Sequence, residues 1–495
     1  MARYASFKYG AEKYGATSLD NIIWGLDIDW DDDGAFSGTN EGDRLQGVQT
    51  ARGRNYLLSS GGDGFEPVQV GTATLVLTNY DGRYDPYNAA SPLYPNVAPG
   101  RLIRLRVRYG TTIYPVYAGV IQDIQPSFDD AGRPTVTLNC EDGLRWLQDY
   151  SATTGVYQST WAHEAIDTLL ASAQWPTAWG SSLSNGADLL DYWWGKDRSV
   201  YDEIRALSDS ELARFYCDAA GAFVFQNRQT APASVATIDQ SQMLKSVALS
   251  QPWEIQRNAC TVISNPIAAD TLDDIWTYGG VLAIGAGATL EIFAEFGGAA
   301  VDVVPPVATT DYLANRSSDG LSTNLTAYIS VGTEVFSEGA RLTIINGYSL
   351  VAYITLLKVR GRLLVSSGVS ASATATGYAK HPRTLKLDLE WQQDTNNPAI
   401  FATQLLTILN TAPALPQFQI ETRPDVQFAL DLFDVITVTI ARLSINSAFR
   451  VGYISHEWTK PNGQAIITTI KTEPHWAYPY WIFDDGVLDT TPLGW

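Results

Sequence analysis

Apolar and polar residues alternate one for one along two widely separated stretches of this chain. Ile103, Leu105 and Val107 alternate with Arg104, Arg106 and Arg108, and Ile436, Val438 and Ile440 alternate with Thr437 and Thr439. A period of two predicts strands that bury a single face. Laid on each other without a gap, the stretches bring Val116 onto Phe449, Gly119 onto Gly452 and Ile121 onto Ile454. Each then passes a Gly-centred turn, residues 129–132 and 460–463, into a further strand at 135–140 and 465–470. The pattern predicts one β-hairpin frame used twice, against the plainer reading of two unrelated amphipathic hairpins. A repeated frame gives one chain two equivalent building blocks, as a ring with more positions than subunits requires.

Outside these frames the pattern changes. Ala73, Leu75 and Leu77 predict another one-sided strand, followed by a loop over 79–101 crowded with Asn, Asp, Gly and Pro, a composition that fixes turns. From about residue 149 the spacing becomes 3.6. Thr160 is placed to cap a helix burying Ile166, Leu169, Leu170 and Ala173, and Ser199 with Asp202 predicts a capping box before Val200, Ile204 and Leu207. A hairpin follows, with Phe215 and Cys217 before the 218–221 turn and Phe223 and Phe225 after it. Residues 252–377 read as strands, among them 331–336, 341–345 and 353–364. Asn397 as cap and Pro398 as first residue predict a helix burying Phe401, Leu405, Ile408 and Leu409. The fold class predicted is mainly β with a small α+β part. Its domains are a docking arm (1–20), an antiparallel β-barrel (21–148), an α+β domain (149–251), a sandwich-like β-rich domain (252–377), a second similar barrel (378–474) and a second docking arm (475–495).

With 495 residues the chain exceeds one core. The formal net charge of −20 excludes a protein that wraps nucleic acid, and suits a channel in which DNA must not stick. Cys140, Cys217 and Cys260 are distant and odd in number, so they predict small buried residues and not a disulfide framework. The N-terminus shows no signal-peptide pattern, which predicts synthesis in a cytoplasm without export by that route. The most apolar region, 281–308, is broken by Gly285, Gly287, Glu291, Glu295, Pro305 and Pro306, so no membrane span is predicted.

Candidate chemistry is sparse. Asp29, Asp31, Asp33 and Gly34 match the start of a calcium loop, but Asn40 stands at the twelfth position and a strand precedes it where a helix belongs. A hairpin turn with clustered carboxylates is favoured over a metal site. His163, Glu164 and Asp167 imitate a zinc-protease helix without its second histidine. Residues 285–290 lack the third glycine of a dinucleotide loop. Nothing organises catalysis, and neither a catalytic residue nor a cofactor is predicted.

The turn at 29–34, Arg52-Gly53-Arg54, the loop Asp81-Gly82-Arg83-Tyr84-Asp85-Pro86 with Ser91-Pro92 and Pro99-Gly100-Arg101, the run 214–225 and the closing run 423–436 resemble, in that order, the hub proteins of phage tail tips and baseplates. The likeness extends from about residue 24 to about 474. It implies a homotrimer whose two barrels per subunit form a pseudo-sixfold ring continuing and closing the tail tube. Implied partners are the tail tube or distal tail ring, tail-tip, spike or fibre proteins, and DNA only in passage through the lumen. The implied location is a virion tail tip, the chain being synthesised in the host cytoplasm. Many relatives continue into a fibre or hydrolase region, whereas this chain stops soon after the second barrel. Two sets of residues are the candidate assembly interface: Arg83, Tyr84, Asp85 and Pro86 on the proline-stiffened loop, and Arg104, Arg106 and Arg108, expected to face carboxylates of a neighbouring subunit or domain. Competing readings are an adhesin binding cell-surface glycans, if 252–377 shows exposed aromatics around a groove, and, less in keeping with the few histidines, a peptidoglycan hydrolase.

Overall fold

The computed structural model describes residues 22–475, except 37, 39, 56, 59–63, 231, 244–246, 251–254, 376–382, 411–413, 422 and 461–464. The two docking arms (all but His475) and most of the 460–463 turn lie outside the described residues. The alternating stretches become parts of one twelve-stranded sheet built from both ends of the chain. Its first half consists of β1 (Ile22–Ile28), β2 (Leu45–Gly53), β3 (Gln69–Thr78), β4 (Leu102–Tyr109), β5 (Thr112–Phe128) and β6 (Pro134–Glu141), in the spatial order β1-β4-β5-β6-β3-β2. Leu26, Leu75, Leu105, Val107 and Leu138 fill the core on one face. On the other face Leu102, Ala118 and Val120 pack on Trp179, so the middle of β5 is buried on both sides.

The helical region follows, with α1 (Gly143–Asp149), α2 (Ala162–Ser172), α3 (Val200–Ser210) and the hairpin β7 (Arg214–Cys217) and β8 (Phe223–Gln226). Ser199 caps α3 through the Asp202 amide as expected. At α2 the cap position is Trp161, not Thr160: the Glu164 carboxylate turns back to accept the Trp161 amide at 2.9 Å. The stripes Ile166–Leu169–Leu170 and Val200–Ile204–Leu207 share a core with Phe215, Phe223 and the second half of the large sheet.

That second half begins earlier than the sequence pattern predicts. β9 (Ala236–Asp239) and β10 (Ala248–Ser250), within the stretch read as α+β domain, join its edges. The rest comes after a long insert: β11 (Leu415–Ile420), β12 (Val435–Ile440), β13 (Ile445–Thr459) and β14 (Ile467–Pro474). The spatial order is β9-β12-β13-β14-β11-β10, the first half's order strand for strand. One difference is that β1 runs antiparallel to β4, whereas β9 runs parallel to β12. The halves are joined where β2 pairs with the last part of β13, from Gly47 opposite Thr459 to Gly53 opposite Tyr453. No ladder closes either half into a barrel among the described residues.

The insert has two layers. Ala259–Ser264 lies between Val369–Thr374 and Thr384–Leu389, with α4 (Asn397–Leu409) across them on Phe401 and Leu405. Residues 384–389 and 397–409 therefore belong to this layer's ladders and core, and not to the large sheet where the pattern had placed them. In α4 Asn397 is the first helical residue instead of the cap, and its amide donates to Asp188 at 3.1 Å. The other layer is built on the long strand Ala352–Ser366, which pairs with five short strands. Against it packs the sheet of Thr289–Glu295, Gly339–Asn346 and Ile329–Val335, around Ile344, Ile354 and Leu357.

The gapless match between the frames is corrected by the ladders. Ile103 and Ile436 are equivalent, but their partners are Gly119 and Phe449. A bulge interrupts β5 at Gln122 and β13 at Gly452, so Gly452 corresponds to Gln122 and not to Gly119. Residues 116–121 are buried without a break, and a strand covered on both faces carries no alternation to fix its register.

Candidate assembly interface

The loop over 79–101 is a run of tight turns, each closed by an amide three residues on: Gly82 to Asn79, Asp85 to Gly82, Asn88 to Asp85, Ser91 to Asn88 and Tyr94 to Ser91. Its anchor is Glu41, a buried carboxylate that the sequence reading passed over. Glu41 accepts the Arg83 guanidinium at 2.7 Å and the Tyr84 hydroxyl at 2.7 Å. Burial, then the adjoining carboxylate, pushes the Tyr84 phenol well up, so it stays a donor. Arg44 forks onto Asp81 at 2.8 and 3.0 Å. Asp85 accepts the Tyr87 amide at 3.0 Å, and Pro86 is half-buried. Arg83 and Tyr84, expected at an interface, thus serve the loop's own attachment. What the loop presents outward is Tyr80, Tyr87 and Tyr94, at 63%, 94% and 51% exposure.

The arginine strand is likewise satisfied within the chain. Asp27 on β1 lies between Arg104, at 3.1 Å, and Arg106. Arg104 also covers the Phe36 ring at 4.6 Å. The carboxylate facing these two arginines therefore belongs to the adjoining strand of the same half. Arg108 is exposed and makes no ion pair among the described residues.

The three candidate ligands of the 29–34 turn, Asp29, Asp31 and Asp33, do not converge. Asp29 accepts the amides of Asp33 and Gly34, at 3.3 and 2.9 Å; Asp33 accepts that of Ala35, at 2.9 Å. Asp31 accepts from Asn96 at 2.9 Å. This is a side-chain-closed turn. No cluster of three metal-ligating side chains occurs among the described residues. His163 accepts the Gly186 amide at 3.0 Å while Glu164 holds the start of α2, so their helix face is structural.

Three of the stretches that carried the family likeness meet where the halves join. Arg52 on β2 is buried; it donates to Asp431 at 2.6 Å and to the Cys217 carbonyl at 3.3 Å. Asp431 also accepts the Ala219 amide at 2.8 Å, tying the β7–β8 hairpin to the segment before β12. Arg54 grips both oxygens of Glu473 on β14, one of them at 2.8 Å, and gives a third hydrogen bond to the Glu66 carbonyl at 2.8 Å. Between the two arginines Gly53 has φ +106°, and a Cβ there would stand 2.2 Å from the Gly452 carbonyl oxygen. Only glycine fits so close a crossing. Asp142 caps α1 through the Leu144 amide at 3.0 Å, and burial pushes its carboxyl up to about 7. Burial, assisted by the Arg52 charge, holds His456 down to about 3, hence neutral, against Thr468 at 2.9 Å. The junction is thus a clamp of buried charge pairs.

No protein-family model and no curated protein sequence matches the chain. Its backbone is similar to the 43 kDa tail protein of prophage MuSo2 from Shewanella oneidensis, with TM-score 0.52 and 10% identity over 91% of this chain and 98% of that one. It is also similar to the tail protein from Neisseria meningitidis MC58, with TM-score 0.51 and 9% identity over 91% and 96%. The class defined is a mainly β, multisheet protein with the fold of phage tail proteins. The likeness read from the sequence is borne out at the level of the fold.

Proposed function

We propose that this chain is the structural hub subunit of a tail tip or baseplate in a phage or phage-like particle. Three copies form a ring that continues and closes the tail tube. The observation that carries this reading is the strand order β1-β4-β5-β6-β3-β2 repeated as β9-β12-β13-β14-β11-β10 in one chain, which supplies six equivalent wall segments from three subunits. Each half rolls into a barrel wall, while the helical region and the insert stand outside the ring. The role is non-enzymatic. Its partners are the tail tube or distal ring on one side and tip, spike or fibre proteins on the other, with DNA passing through an acidic lumen. Light scattering on the purified full chain tests the reading. The expected mass is three times 54.1 kDa, and a monomer at every concentration overturns it.

An adhesin role has one observation in its favour. Phe293 is 59% exposed and stands 6.0 Å from Phe336, beside Lys196, Glu295 and Glu338 in a shallow groove. Aromatic faces of this kind stack on sugars. Binding of the chain to isolated cell walls, abolished by Phe293→Ala, is the outcome that would establish it.

A further inference from the structure

β13 has a strand neighbour along its whole length, and one on each side over 449–450 and 453–457. β14 lies along one side, while on the other β12 covers residues up to Arg450 and β2 covers 453–459. Its counterpart β5 is arranged in the same way but incomplete. β6 lies along one side, and on the other β4 reaches Val120 and the Gly100–Arg101 backbone closes on Ile121. Beyond this, residues 122–128 have no strand on that side among the described residues. The strand that fills the equivalent place in the second half is β2, and the counterpart of β2 is β10. β10 ends the sheet, with all three of its residues exposed.

We infer that the open edge of β5 takes the β10 strand of a second copy of this chain, antiparallel, with Leu249 opposite Pro126. The inference rests on the hub reading and names its subunit contact.

The register follows from the ladders. The bulges at Gln122 and Gly452 align Ile124, Pro126 and Phe128 with Ile454, His456 and Trp458. Gln49 is reached from Asn139 through Thr74, and Ala248 from Lys471 through Gln417, which aligns β10 with residues 49–51. The intrachain pair Thr50–His456 then becomes Leu249–Pro126, and Gln49–Glu457 becomes Ala248–Ser127.

The backbone directions agree. The Asp129 amide donates across the hairpin to the Arg133 carbonyl, at 3.0 Å, so by alternation Ser127 and Gln125 bond to β6 while Phe128, Pro126 and Ile124 direct their groups outward. Leu249 stands opposite Pro416, which has no N–H to give, so the backbone groups of Leu249 also face outward. The side chains agree as well. Trp458 is half-buried across the existing joint, 5.5 Å from Trp24 of the other half, whereas Phe128 at the equivalent place is 74% exposed. Pro126 removes one donor from the new joint. It therefore pairs less strongly than its intrachain counterpart, and the free edge is guarded against indiscriminate strand pairing. The contact is head-to-tail, so three copies close a ring in which intrachain and interchain joints alternate.

The test is a double variant of the full chain, Ser127→Cys with Ala248→Cys. These residues form a non-hydrogen-bonded pair in the inferred joint, with Cα atoms about 4.5 Å apart, within disulfide reach. The three native cysteines are buried. Oxidation is expected to give a covalent trimer on a non-reducing gel, and Asp123→Cys with Ala248→Cys none. Phe128→Ala is expected to weaken trimer formation about tenfold or more without changing the circular dichroism spectrum. A trimer by mass that neither cross-links at 127–248 nor responds to Phe128→Ala overturns this joint and leaves the hub reading standing. A chain that is monomeric at every concentration overturns both.

Discussion

Asp142 and Gly53 show what single residues contribute at the junction of the halves. The Asp142 carboxyl rises from 3.8 to about 7 on burial, so its contribution to stability is full below its unfolded value and is lost as pH rises through about 7. Asp142→Asn keeps the cap and removes the charge. The urea midpoint gained by this variant over the native chain is expected to grow from about pH 4 to about pH 7 and to level off above it, and a gain independent of pH would refute the assignment. His456 acts with the opposite sign, its contribution being present above 6.5 and lost as pH falls through about 3. Gly53→Ala meets both a positive φ and the Gly452 carbonyl. A loss of about 2 kcal/mol or more is expected by denaturant titration. None of these environments was legible in the sequence, because burial and close approach arise from segments hundreds of residues apart.

Among the elements, the turn-rich loop was read correctly as ordered, since its proline, glycine and Asx residues act locally. Its attachment was not, since Glu41 carries no local signature of being the loop's anchor. Replacing Glu41 by Ala removes the carboxylate to which Arg83 and the Tyr84 hydroxyl both donate, at a cost of about 3 kcal/mol. The expected result is faster tryptic cleavage after Arg83, with the remaining digestion pattern unchanged. The helices divide in the same way. Ser199 was recognisable as a cap because cap and target are three residues apart, whereas Thr160 and Asn397 were each misplaced by one position, a choice decided by the backbone angle at entry.

For the molecule as a whole, the net charge of −20 bears on assembly. In the proposed ring, three copies would bring like charges together around one axis, and that repulsion is long-ranged and screened by salt. Raising sodium chloride from low to moderate concentration is expected to lower the trimer dissociation constant, measured by analytical ultracentrifugation. Weakening by salt would mean that ion pairs across the contact dominate instead. The arginine strand, expected to supply such pairs, is largely neutralised by Asp27 within the chain, which leaves backbone pairing and Phe128 as the features available to the joint.

The sequence by itself determined the β class, the change of period into the helical region, the presence of a repeated frame and the order of the short segments that carried the resemblance to tail proteins. Each is written in local periodicity or in the order of short segments, and these survive without knowledge of contacts. Tertiary structure alone decided the rest: that β9 and β10 complete the second half across a long insert, that the frames are offset by a bulge, and that Arg52 and Arg54 clamp the halves together. A three-residue edge strand holds too few positions for a period to show. A strand buried on both faces has no alternation to set its register, and a buried ion pair is defined by two residues that only the folded chain brings within 3 Å.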